Sequence, residues 1–140
     1  MVNKMREITK VIVHCAATPE GRDVATEEIK RWHTEERGWS DIGYHWVIEL
    51  DGSTNEGRSE DINGAHCRGH NSDSIGICYV GGSDSEGNPK DTRTEGQRDA
   101  LVTLIKEILD RHPDAEVFGH RDFSTKACPS FDAKTEYAGL

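Results

Sequence analysis

Short apolar runs rich in β-branched residues alternate with two amphipathic segments along this chain. The apolar runs predict β-strands near residues 8–15, 44–50, 74–82 and 115–119. Periodic apolar positions predict one helix over residues 26–37, closed by Gly38, and a second that begins at the capping box Thr94–Gln97 and ends before Pro113. No repeat or linker interrupts this order, so we expect a single α/β domain over residues 1–140.

Finer predictions concern the first helix and the strand after it. Thr26 is expected to cap the helix, and His33 is expected on the exposed helix surface. In the following strand, alternation predicts Tyr44 and Trp46 on one face of the sheet. The Asp51-Gly52 pair directly after this strand predicts a hairpin turn.

Charge and hydropathy exclude several classes of function. The 140 residues have a mean hydropathy of -0.74 and a formal net charge of -9. Such a charge argues against direct binding of nucleic acid or of an anionic membrane, because both depend on clustered lysine and arginine. No apolar run approaches the roughly 18 residues of a membrane span, and residues 1–7 lack the apolar core of a signal peptide. We therefore expect a cytoplasmic protein, unless something else releases it.

The candidate chemistry centres on the loop from His120 to Cys128, which follows the last predicted strand. His14 stands at the end of the first predicted strand in the same way. If these two strands are neighbours, His14, His120 and Cys128 can meet at one edge of the sheet. Two imidazoles and one thiolate suit a catalytic zinc ion, with a fourth position left for water. The alternative is a reduced structural domain whose histidines only pack.

Two further residues extend this site toward catalysis. Lys126 precedes Cys128 by two residues, and its ammonium could stabilise the oxyanion that forms when water attacks an amide. Tyr44 could donate a hydrogen bond to the same oxygen or to the water. The set favours metal-assisted amide hydrolysis.

The four cysteines and a histidine-rich loop leave alternatives open. Because no secretory signal is present, we favour free thiols over two disulfides, with Cys15 and Cys78 as small core residues. His66, Cys67 and His70 form a rival metal cluster, but their loop offers no fourth ligand. We expect this loop at the rim of a ligand site.

Motifs spread over nearly the whole chain match one protein family. The matching segments, in family order, are Val13–Thr18, Glu28–His33, Gly38-Trp39, Ile42–Trp46, Asp51-Gly52, Gly64–Asn71, Ser74–Cys78, Val80–Gly82, Gly119-His120 and Lys126–Asp132. With these residues the chain resembles the zinc-dependent N-acetylmuramoyl-L-alanine amidases that share a fold with peptidoglycan-recognition proteins. The resemblance is strongest to the small amidases of T-odd coliphages.

The resemblance implies a fold, a cofactor and a catalytic pair. The fold would be a central mixed β-sheet flanked by helices on both faces, with an open groove. One Zn²⁺ ion per chain would be bound by His14, His120 and Cys128. Tyr44 and Lys126 match the two further positions that catalysis requires in the family.

The same resemblance implies a substrate and a biological setting. The bond cut would be the peptidoglycan amide between N-acetylmuramic acid and L-alanine, with His66 and Asn71 contacting the substrate along the groove. The protein would be a monomeric endolysin, held in the host cytoplasm until it reaches the cell wall. The phage relatives also suggest a phage RNA polymerase as a second partner. A non-catalytic peptidoglycan-binding module is the alternative, although such relatives lose the cysteine that this chain keeps at Cys128.

Overall fold

The computed structural model describes residues 6–140, and the first five residues, where part of the signal-peptide prediction falls, lie outside the described residues. Seven strands occur in the described part of the chain: β1 (Lys10–Cys15), β2 (Thr18–Pro19), β3 (Trp46–Ile48), β4 (Thr54–Glu56), β5 (Ser74–Tyr79), β6 (Gly82–Ser83) and β7 (Glu116–Gly119). Five of them form the main sheet in the order β4-β3-β5-β1-β7, while β2 pairs with β6 separately.

The main sheet is mixed. Strand β1 lies between β5 and β7 and runs parallel to both, and β3 runs parallel to β5 on the far side. Strand β4 pairs antiparallel with β3 at the edge, so the predicted hairpin is confirmed. Its turn contains Gly52 at φ 88°, a left-handed conformation that suits glycine.

Helices cover both faces of this sheet. Helix α1 (Thr26–Arg31) continues into a π-helical turn, Trp32–Glu36, and packs on one face. Helix α2 (Glu95–Arg111) packs on the other, where the short helix α3 (Ala133–Glu136) also contributes apolar contacts. The larger core lies on the α2 side, with Val11, Val13, Ile75, Ile77, Tyr79, Leu101, Ile105 and Ile108 among its members. None of the helices in residues 6–140 is both long and apolar enough to cross a membrane.

Three local predictions are corrected by the structure. The N-cap of α1 is Ala25, and the Glu49 carboxylate accepts hydrogen bonds from both the backbone N–H and the hydroxyl of Thr26, at 2.9 and 2.6 Å. His33 is buried, and its Nδ1 accepts a hydrogen bond from the Gly43 N–H at 2.9 Å. The loop that precedes β3 therefore covers a helix position that the amphipathic pattern had left exposed.

The third correction concerns Tyr44 and Trp46, which lie on opposite faces of the sheet. Trp46 packs with the core on the α2 side, whereas Tyr44 packs with the smaller core beside α1. Regular strand structure begins only at Trp46, so strand alternation does not extend back to Tyr44. The correction moves Tyr44 to the face that carries His14.

Candidate metal centre and groove

Parallel pairing of β1 with β7 brings two of the predicted ligands together. Val13 lies opposite Gly119 in the register, so His14 and His120 each follow at the same edge of the sheet. Their ring centroids are 4.6 Å apart. His14 alternates with Val13 and therefore lies on the α1 side of the sheet.

Cys128 is brought to the histidines by a loop with several anchors. The Arg121 N–H donates to the Cys128 carbonyl at 2.7 Å, and the Tyr79 hydroxyl donates to the Pro129 carbonyl at 2.6 Å. The Cys15 N–H donates to the Cys128 sulfur at 3.1 Å. These contacts join the loop to β5 and to the end of β1.

The donor atoms of His14, His120 and Cys128 all lie within 4.8 Å of one another. Burial, with smaller effects from His66 and His120, lowers the pKa of His14 well below its usual value. Burial and, to a smaller extent, the positive charge of Lys126 lower the pKa of His120. Both imidazoles are therefore neutral and keep a lone pair for a metal ion. Contact with the Cys15 thiol and burial raise the pKa of Cys128, so a thiolate there requires a nearby cation. The donor set fits zinc.

Both predicted catalytic residues lie at this centre. The Tyr44 ring is partly buried against His14, with centroids 5.1 Å apart. Burial, reinforced by nearby cysteines, raises its pKa well above the usual value, so Tyr44 remains a neutral hydrogen-bond donor. Lys126 is exposed and lines the same groove as Cys128.

His66 and Asn71 also line the groove, but both ring nitrogens of His66 and the side-chain oxygen of Asn71 make internal contacts. The His66 Nδ1 lies 2.8 Å from the His14 Nε2, and its Nε2 lies 3.2 Å from the Ser74 hydroxyl. Burial lowers the pKa of His66 to about 3, so the ring is neutral. The Asn71 Oδ1 accepts hydrogen bonds from the N–H groups of His66 and Cys67, both at 3.0 Å.

The rival cluster of His66, Cys67 and His70 does not assemble. His70 instead packs against Phe123, with ring centroids 4.1 Å apart. Within residues 6–140, His14, His120 and Cys128 are the only group of three or more His, Cys, Asp or Glu residues whose donors converge. All four cysteines are free thiols, as predicted, and Cys15 and Cys78 are buried.

The groove around the centre has a volume of about 540 Å³. Its lining includes four residues to which the sequence analysis gave no role in the site: His33, Arg37, Trp39 and Arg68. The Arg37 guanidinium lies over the Trp39 ring at 5.3 Å, and both arginines are exposed. The groove is thus locally basic although the chain has a net negative charge. The net charge of the whole sequence does not reveal this local excess of basic residues.

A family model described as N-acetylmuramoyl-L-alanine amidase matches residues 4–131. The chain belongs to this family. The endolysin of Klebsiella phage KP32 is 44% identical over 131 residues, which are 94% of this chain and 86% of the relative. The endolysin of Escherichia phage T7 is 42% identical over 132 residues, which are 94% of this chain and 87% of the relative.

A solved amidase structure confirms the fold. The N-acetylmuramoyl-L-alanine amidase LysC from Clostridium intestinale URNW matches with a TM-score of 0.78 and 25% identity, over 94% of this chain and 82% of that one. The predicted mixed sheet with helices on both faces is therefore correct. The amidase family and its endolysin members together indicate N-acetylmuramoyl-L-alanine amidase activity for this chain.

Proposed function

We propose that this protein is a zinc-dependent phage endolysin that cuts the amide bond between N-acetylmuramic acid and L-alanine in peptidoglycan. The observation that carries the proposal is the convergence of the His14, His120 and Cys128 donor atoms within 4.8 Å of one another, in a surface groove. Two neutral imidazoles and one thiol suit a single Zn²⁺ ion per chain and leave a coordination position free. The endolysin relatives support the cell wall as the target.

When bound, zinc would supply a Lewis acid that polarises the amide carbonyl and activates water. The chain's own residues would stabilise the charge that develops on the carbonyl oxygen. Tyr44, a neutral phenol beside His14, donates a hydrogen bond to that oxygen. Lys126 adds a positive charge in the same groove and stabilises the same oxygen. His66 and Asn71 contribute to the groove wall.

The metal assignment is tested by zinc content and muralytic activity of purified protein. Wild type should contain one zinc per chain, lose activity with a chelator and regain it when zinc is added. Cys128→Ser should lose both the metal and the activity. Cys67→Ala, a change at a buried thiol outside the candidate ligand set, is the matched control and should keep its zinc. Full activity in chelator would refute the proposal.

Single changes at Tyr44 and Lys126 separate an enzyme from a binding module. Tyr44→Phe and Lys126→Ala should each lower the turnover number by about 10²–10³ while zinc content is unchanged, because each removes one donor to the oxyanion. The pH profiles of the two variants would show whether either residue also assists proton transfer. A binding module predicts no amide cleavage by wild type and intact peptidoglycan binding by Lys126→Ala.

Several expectations about biological context stay predictions. They are a single domain over residues 1–140, a monomeric state, no direct contact with nucleic acid or membrane, and retention in the host cytoplasm before release to the wall. Inhibition of a phage RNA polymerase is a further prediction. A transcription assay with that polymerase, with and without the protein, would test it.

A further inference from the structure

His66 is held against the candidate ligand His14 deep in the groove wall. Their Nδ1 and Nε2 atoms, respectively, are 2.8 Å apart, and the two rings meet edge-on at 88°. The other nitrogen of His66 lies 3.2 Å from the Ser74 hydroxyl. The exposed fractions of His14, His66 and Ser74 are 1%, 9% and 0%. The three side chains therefore form a buried hydrogen-bonded chain from the end of β1 to the start of β5.

The surrounding backbone is shaped to hold the His66 ring in this place. A Cβ atom at Gly76 would lie 2.5 to 2.7 Å from three ring atoms of His66, and one at Gly64 would lie 2.6 Å from its Cδ2. Only glycine leaves room for the ring at these two positions. On the main-chain side, the Asn71 Oδ1 accepts hydrogen bonds from the N–H groups of His66 and Cys67. The loop and the ring are thus fixed together.

The contact between the two histidines determines which nitrogen of His14 can bind a metal ion. Because Nε2 is engaged by His66, Nδ1 is the nitrogen that remains. A lone pair on Nδ1 requires the proton of neutral His14 to sit on Nε2, from which it is donated to His66. His66 then carries its own proton on Nε2 and donates it to the Ser74 hydroxyl. The opposite direction would put a proton on the His14 Nδ1 and block metal binding there.

We propose that His66, backed by Ser74 and held in place by Asn71, is a positioning residue that fixes the ring and the tautomer of His14 for zinc binding. The inference rests on the proposed function, since it concerns how the same site binds its metal. It gives His66 a role distinct from contact with substrate. Removal of the outer partner of a metal-ligating histidine typically weakens metal affinity by ~10–100-fold.

Zinc affinity, measured by competition with a chromophoric chelator, is the first test. His66→Leu fills much of the ring's space but cannot accept a hydrogen bond, so its affinity should fall by about 10–100-fold. His66→Asn offers a carbonyl oxygen near the Nδ1 position and should recover most of the loss. His70→Gln, in the same loop but stacked on Phe123, is the matched control and should bind zinc like wild type.

Two measurements keep the test independent of folding. Melting temperatures of the zinc-free variants would show any loss of stability. If His66 is a positioning residue, the variants that lose zinc affinity need not be the ones that lose stability. Nitrogen NMR shifts of zinc-free wild type would report which imidazole nitrogens carry protons. We expect the His14 proton on Nε2, and this measurement needs no variant.

Two results would overturn the inference. One is a folded His66→Leu whose zinc affinity lies within about twofold of wild type, far from the ~10-fold minimum expected. The other is a His14 proton on Nδ1. Wild type that binds no zinc at all would instead overturn the proposed function, so the two failures are distinguishable.

Discussion

Tyr79 connects the loop that carries Cys128 to the middle of the sheet, and removal of its hydroxyl should lower the free energy of unfolding. The side chain is 0% exposed, and its hydroxyl donates to the buried Pro129 carbonyl at 2.6 Å. Tyr79→Phe keeps the ring but leaves this carbonyl without that donor. A buried acceptor without a partner costs ~1–3 kcal/mol, so we expect the free energy of unfolding to fall by about 2 kcal/mol. For a chain of this length, that is roughly 6 °C in Tm.

The assay is urea unfolding of both proteins in the presence of a chelator, since bound metal would add stability of its own. Thr34→Val is the matched control, because the Thr34 hydroxyl donates to the Lys30 carbonyl in an exposed position, at 2.9 Å. Its effect should stay within about 0.5 kcal/mol. If Tyr79→Phe lost no more than this control, with an unchanged urea slope, the argument that the hydroxyl anchors the loop would be wrong.

Two further predictions concern contacts that lie away from the metal centre. Arg93→Met should lower the free energy of unfolding by about 2–3 kcal/mol, because the guanidinium is 1% exposed and pairs with Asp91 and Glu136, although partial exposure of both acids reduces the loss. Hydrogen bonds from Arg93 lower the pKa of Glu136 below its usual 4.5. On acidification the Glu136 carboxylate is therefore protonated in the unfolded chain before it is protonated in the folded one. The stability that wild type gains from this ion pair should be lost as the pH falls below about 4.5. Urea unfolding across that range should give a shallower acid-side decline for the variant, and parallel curves would contradict the assignment. Glu49→Ala should cost about 1 kcal/mol by the same measurement, because Glu49 takes the place of a capping side chain on α1.

The parts of the structure that were predicted correctly depend on local sequence. The capping box of α2 forms within four consecutive residues, where the Thr94 hydroxyl accepts from the Gln97 N–H and the Gln97 side chain accepts from the Thr94 N–H. His14 lies near the end of β1 and His120 directly follows β7, so the parallel pairing of these two strands brings both histidines to one edge of the sheet. The position of Cys128 beside them also depends on contacts of its loop with the distant residues Cys15 and Tyr79.

The parts that were missed depend on contacts between distant segments. The cap of α1 comes from Glu49, 23 residues after Thr26, and no pattern near the helix indicates it. His33 is buried by the loop around Gly43 rather than by its own helix face. The contact between His66 and His14 joins residues 52 apart, so sequence predicted His66 near a ligand site without revealing its partner. The periodicity of apolar residues predicts which face of a helix or strand is apolar. It does not predict which distant segment of the chain packs over the other faces.

The groove lies at the molecular surface, and Ala17, Arg37, Arg68, Gly69 and Lys126 along it are exposed. A bacterial wall is a cross-linked mesh whose strands offer few free ends. A tunnel would have to wait for such an end to be threaded through it. An open groove can instead accept a strand from the side, without such an end.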